Sequence, residues 1–170
     1  MLEIVTISGA ILGILAFVWN VRDAIVRYLH ISLEVSNDGE WALAKAGVEN
    51  NGVLLKRIAN ALLLVGPEFE SPVDCFNRLS RDAGLDRHVT TTNEIAAIGL
   101  NAPVFRDRRA LIPLPFFYSE NIAVGDERLS YCAPIDLRNF VADEVYSVRF
   151  FVVGNWRLHR STHAAFVKAR

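Results

Sequence analysis

Hydrophobic and polar positions change their period along this chain. From Ile4 to Val21 no residue is charged (IVTISGAILGILAFVWNV), and apolar side chains would fall on every side of a helix rather than on one stripe. At 1.5 Å per residue such a helix spans roughly 27 Å, close to the ~30 Å of a hydrocarbon core. The run predicts a transmembrane helix, with Asp23 to His30 continuing it along the interface. From Ile31 the period drops to two. Ile31–Ser36, Trp41–Glu49 and Arg57–Val65 read as strands. Asn37-Asp38-Gly39, Asn50-Asn51-Gly52 and Gly66-Pro67 punctuate them.

One helical signal interrupts the strands. Ser71-Pro72-Val73-Asp74 offers an N-cap, a proline at the first helical position and an acid in the first turn. Pro72, Phe76, Leu79 and Ala83 then recur on one face, and Gly84 is a stop. Residues 85–107 hold no clear period; Asn93–Leu100 fits a short helix or an irregular loop. Further strands are expected at Arg109–Ile112, Phe116–Val124, Glu127–Ala133, Val145–Val153 and Trp156–Val167. Pro113 and Pro115 cannot donate to a ladder and mark an edge or a bend. Roughly seven or eight short strands between turn signals predict a mainly β fold, an antiparallel sandwich with one short inserted helix. Helices do not alternate with strands, which excludes a parallel α/β sheet.

Two segments follow: a transmembrane and juxtamembrane helix over 1–29 and a β-sandwich domain over 30–170. Arg22 and Arg27 follow the apolar run, whereas only Glu3 precedes it, so the positive-inside rule puts the domain in the cytoplasm of a single-pass membrane protein. The composition suits that reading: 52% of residues are hydrophobic and mean hydropathy is +0.25. Net charge is -1 and the isoelectric point about 6.4, which gives no case for nucleic acid. Cys75 and Cys132 are too few for a disulfide framework or a zinc site and read as reduced thiols. Gly9 and Gly13 form a G-x-x-x-G step through which two such helices could associate.

The final hairpin carries the candidate site. A two-residue turn at Gly154-Asn155 would place Arg157 and His159 among Val148, Phe150 and Val152. A three-residue loop, Val153-Gly154-Asn155, instead pairs Val152 with Trp156 and Phe150 with Leu158. One face then collects Val148, Phe150, Val152, Trp156 and Leu158, and burial selects this register. The other face carries Arg149, Arg157, His159, Ser161 and His163, with Arg149 opposite His159. Like charges set close together favour an anionic ligand or partner.

Asp143-x-x-Tyr146-x-Val148 resembles the approach to the penultimate strand of immunoglobulin-like domains, where a tyrosine hydroxyl bonds back to nearby backbone. The resemblance implies an immunoglobulin-like sandwich, with Val148 where a cysteine would stand, and implies nothing about function.

Catalytic patterns are missing. His159 and His163 have the spacing of helical zinc ligands, but four residues along a strand separates them by about 13 Å, so no metal is expected. Glu120, Asp126 and Glu127 read as a solvated acidic turn. No nucleophile elbow, Walker loop or dinucleotide fingerprint occurs, so neither an enzyme nor a cofactor is expected. The sequence points to a membrane-anchored binding or scaffold module. Its partners would be the bilayer and a protein, or a second copy of itself. One alternative is a membrane effector whose domain senses a nucleotide-like anion and whose helices oligomerise; another is an enzyme whose pocket the sequence does not reveal.

Overall fold

The computed structural model describes residues 9, 11–21, 29–51, 56–114, 120–122, 128–154 and 159–169. Residues 11–21 are helical (α1). The strands are β1 (Leu29–Asp38), β2 (Trp41–Asn50), β3 (Lys56–Pro67), β4 (Val104–Arg106), β5 (Arg109–Pro113), β6 (Glu120–Ile122), β7 (Arg128–Asp136), β8 (Val145–Gly154) and β9 (His159–Val167). Helices α2 (Pro72–Asp82) and α3 (Thr92–Ala97) lie between β3 and β4.

Every ladder is antiparallel, and the strands make two sheets. One has the order β1-β2-β7; the other runs β4-β5-β3-β8-β9, with β6 pairing with the start of β3. The pairings β1-β2-β7 and β3-β8-β9 follow the relative order of strands A-B-E and C-F-G in immunoglobulin-type sandwiches, a likeness of topology alone. Period-two alternation builds the space between the sheets. Ala42, Ala44, Ala46 and Val48 of β2 and Ala133 and Ile135 of β7 meet Leu63, Val65, Val148, Phe150 and Val152 there. Pro134 sits in β7 opposite Leu43, on the strand that ends its sheet.

The outer face of the larger sheet explains why β3 reads as an unbroken apolar run. Leu63 and Val65 point into the sandwich, while Leu62 and Leu64 point outward under the helices. There they join Phe151 and Leu111 beneath Cys75, Phe76 and Leu79 of α2 and Ile95 and Ala96 of α3. A strand buried on both faces loses its alternation. Fully burying each large side chain contributes about 1.5–3 kcal/mol, and Phe76, Leu79 and Ile95 are all completely buried. The local signals for α2 hold. The Asp74 N–H donates to Ser71 Oγ at 3.1 Å, and Gly84 takes φ +67, a left-handed conformation that suits glycine at a helix end.

Several expectations need correction. The largest concerns the N-terminus. Among the described residues no helix is long and apolar enough to cross a membrane. The transmembrane assignment is therefore overturned, together with the single-pass membrane localisation and the cytoplasmic orientation drawn from it. The signal was an uncharged run, apolar on every side, and apolar content alone does not establish a membrane span. Residues 4–8 and 10 of the expected span lie outside the described residues. The helix does not run on to His30 either, because Leu29 already pairs with Asn50 in β1. Ile11, Leu12, Leu15 and Phe17 of α1 are exposed, and a Cβ added at Gly9 or Gly13 would meet nothing within 4 Å. Neither glycine serves a close approach among the described residues.

Smaller corrections concern strands. Residues 85–107 contain both α3 and the short strand β4. Of the expected strand Phe116–Val124, Glu120–Ile122 is described as β6; Asp126 and Glu127 lie outside the described residues. The final hairpin has a wider loop: Val153 pairs with His159, Val152 with Arg160 and Arg149 with His163. The slip from the expected register is four residues, an even number, so the described side chains keep their faces. Phe150 remains inside; Arg149, Ser161 and His163 remain outside.

Tyr146 is buried. Its hydroxyl accepts the Val141 N–H at 2.9 Å and donates to Glu144 Oε2 at 2.8 Å. Its ring meets Phe140 edge-on, centroids 4.8 Å apart. This fixes the entry to β8, the strand that carries the candidate site.

Candidate anion-binding site

Side chains at 147, 149 and 151 of β8 point to the outer face of the larger sheet, and they meet different surroundings. Phe151 is covered by the helices. Ser147 and Arg149 face a cleft of about 650 Å³ lined also by Glu68, Phe69, His163, Ala164 and Ala165. Register explains the set. Ser147 lies between Gly66 of β3 and Ala165 of β9, and Arg149 between Leu64 and His163. Ser147 and Ala165 are both small, which keeps the floor of the cleft low. Beyond β3, the Glu68 N–H donates to the Val145 carbonyl at 3.3 Å, so Glu68 runs on beside β8 at the end of the cleft away from Arg149.

Two polar groups at this site are buried and have no hydrogen-bond partner: Ser147 Oγ and Arg149 Nη1. Ser147 is only 2% exposed. An unpaired buried polar group costs about 1–3 kcal/mol, more when charged. Two of them two residues apart on one strand face, beside an open cleft, call for an outside partner.

The rest of the Arg149 guanidinium is held in place. Nη2 donates to the Glu70 carbonyl at 2.8 Å. The Glu70 carboxylate is fully engaged elsewhere. It takes Arg109 through two hydrogen bonds, Nε at 2.8 Å and Nη2 at 3.0 Å, and Arg78 Nε at 3.1 Å. Arg109 also reaches the Asp107 carbonyl at 2.9 Å. Its burial works against the charge, but hydrogen bonds to Glu70 and the Glu70 charge more than offset this and raise its pKa. Glu70 thus pairs with both Arg109 and Arg78 and lends Arg149 only a backbone oxygen.

Beneath this network Cys75 is buried, its thiol pushed up to about 12, first by desolvation and then by the Glu70 charge. It is a packed side chain rather than a nucleophile. Gly66 makes the packing work: a Cβ there would lie 2.3 Å from Cys75 Sγ.

Of the residues read from sequence, Arg149 and His163 share this cleft. Ser161 is exposed on the same face, opposite Phe151. The His159 backbone pairs with Val153, not with Arg149; its side chain, and all of Arg157, Trp156 and Leu158, lie outside the described residues. Glu68, Phe69 and Ser147 were missed. Ser147 had an available signal, since it shares parity with Arg149; Glu68 and Phe69 come from a turn eighty residues away in sequence and had none. Among the described residues no three His, Cys, Asp or Glu side chains are grouped to hold a metal ion.

No family model and no curated protein matches the chain. Solved structures give distant likenesses. The sporulation control protein Spo0M from Bacillus subtilis matches with a TM-score of 0.46 at 13% identity, over 84% of this chain and 50% of that one. The β-glucosidase 3B from Thermotoga neapolitana gives 0.40 at 14%, over 84% of this chain and 16% of that one. The putative ApaA protein from Bordetella pertussis gives 0.36 at 9%, over 83% and 94%. This chain thus spans half of the Spo0M chain and less of the glucosidase. Likenesses at this level carry no argument about function.

Proposed function

We propose that this protein is a binding module, a β-sandwich whose outer face receives an anionic group of a partner in the Arg149–Ser147 cleft. One observation carries the reading: Arg149 Nη1 and Ser147 Oγ, on one face of β8, are buried without partners beside an open cleft. A guanidinium held by Nη2 and left free at Nη1 is already oriented, so little side-chain entropy is lost when an anion arrives. His163 across the strand pair supplies a second polar group.

The test is thermal unfolding of the full chain in acetate, phosphate, sulfate and chloride at matched ionic strength. A ligand that binds only the folded state raises its stability in proportion to the logarithm of concentration. A rise with at least one oxyanion, absent in Arg149→Gln, supports the reading. Equal curves in all four salts, with wild type and variant alike, would remove it.

A further inference from the structure

Resting on that reading, we infer that the anion is a peptide carboxylate, singly charged, and not a phosphate. Two buried donors are left over at the site, Arg149 Nη1 and Ser147 Oγ, and the exposed His163 stands at its edge. The two donors lie on one strand face, about 7 Å apart at Cα. Two donors match the two oxygens of a carboxylate. A phosphate monoester brings three oxygens and a charge of about -1.5 to -2. The other guanidiniums nearby, Arg109 and Arg78, are already paired with Glu70.

The opposite end of the cleft points the same way. Glu68 lies on the outer face beside Val145, so the cleft runs from a carboxylate, past Ser147, to a guanidinium. Four strand positions separate Glu68 from the level of Arg149, about 13 Å. Glu68 repels a dianion and welcomes a cationic or hydrogen-bond-donating group. Phe69 stands beside it, 96% exposed, and presents a bare aromatic ring at the rim. Acid acceptor at one end, apolar ring and carboxylate at the other, over the length of three or four extended residues: these complement a short peptide better than a free inorganic ion. The carboxylate could come from a chain terminus or from an aspartate or glutamate side chain, and the two sources share the same chemistry at Arg149.

Calorimetry with the full chain separates the outcomes. The probes are acetyl-Gly-Phe-Gly with a free terminal carboxylate, the same peptide as its amide, acetyl-Gly-Phe-Asp-Gly amide, its phosphoserine counterpart, and inorganic phosphate. At least one carboxylate peptide should bind ten-fold or more tightly than the uncharged amide and more tightly than either phosphate probe. Preference for the free acid assigns the terminus; preference for the aspartyl amide assigns the side chain. Ser147→Ala removes a single oxygen and should weaken carboxylate binding about ten-fold with folding intact. Glu68→Gln should selectively strengthen the phosphate probes. Tighter binding of phosphate by the wild type would overturn the carboxylate inference and leave the anion site standing. So would an amide that binds as well as the acid, if oxyanions still stabilise the protein through Arg149. Absence of binding by all five, together with Arg149 side-chain NMR signals that do not move, would overturn both.

Discussion

The outer face of the larger sheet has two halves that share strands and differ in cover. Over Leu62, Leu64, Leu111 and Phe151, α2 and α3 close down and exclude solvent. Beside Ser147, Arg149, His163 and Ala165 that helical cover ends, and the same face borders a cleft. On β8 the boundary falls between Arg149 and Phe151. Side chains of one parity on one strand thus serve stability on one side of that boundary and are left with unmet hydrogen bonds on the other. Polarity on a sheet face does not mark solvent; here it marks the place where helical cover stops.

The sharpest way to break this contrast is Phe151→Ala. It empties the covered half and should cost about 3–5 kcal/mol in denaturant unfolding, while oxyanion stabilisation through Arg149 persists. A loss of both together would show that the halves are one unit. Gly66→Ala strikes the seam itself, driving a methyl group into Cys75 Sγ. It should cost about 1–3 kcal/mol, and Cys75→Ala in the same chain should restore most of that; absence of rescue would place the strain elsewhere.

A pH titration probes the covered half without mutation. The Cys75 thiol shifts from 9.0 to about 12 in the fold. Its folded pKa lies above its unfolded one, so the native state keeps the proton longer. This contribution is fully present below pH 9 and is lost as pH rises from 9 toward 12, by about 1.4 kcal/mol per pH unit. Cys75→Ala should flatten that alkaline slope in unfolding experiments. A slope unchanged by the substitution would assign it to other groups. Within the folded protein Cys75 should also react far more slowly with a thiol reagent than exposed Cys132.

The smallest effect on stability belongs to the open half. Ser147→Ala removes an orphaned hydroxyl, so stability should hold within about 0.5 kcal/mol or rise slightly. A substitution that leaves the fold untouched and weakens anion binding would separate the two halves cleanly. A drop of several kcal/mol would mean that Ser147 has a partner inside the protein.

How much of this was legible in the sequence depends on what each residue's signal was local to. Ser71, Pro72 and Asp74 announce α2 because a cap is made within four residues. Tyr146 could be read because its hydroxyl bonds back only five residues to Val141. The faces of the last hairpin followed from alternation, yet its register did not: alternation repeats every two residues, so pairings four positions apart satisfy it equally. The cleft needed information that alternation lacks. Glu68 and Phe69 reach it through the pairing of β3 with β8, and the helices that leave Arg149 uncovered are placed by packing rather than by local sequence. The apolar run at 4–21 shows the converse error, where a local signal was clear and the structural conclusion drawn from it was not supported.

One feature of the smaller sheet bears on how copies of this protein would meet. The outer flank of β7 could template another strand, and sheet growth from such a flank is a common route to aggregation. Pro134 interrupts it. A chain docking alongside would find no amide donor at that rung, and the pyrrolidine ring would hold its backbone off. Among the described residues Pro134 thus frustrates lateral growth on that side, and replacing it with threonine would be expected to make concentrated solutions of the protein more prone to assemble.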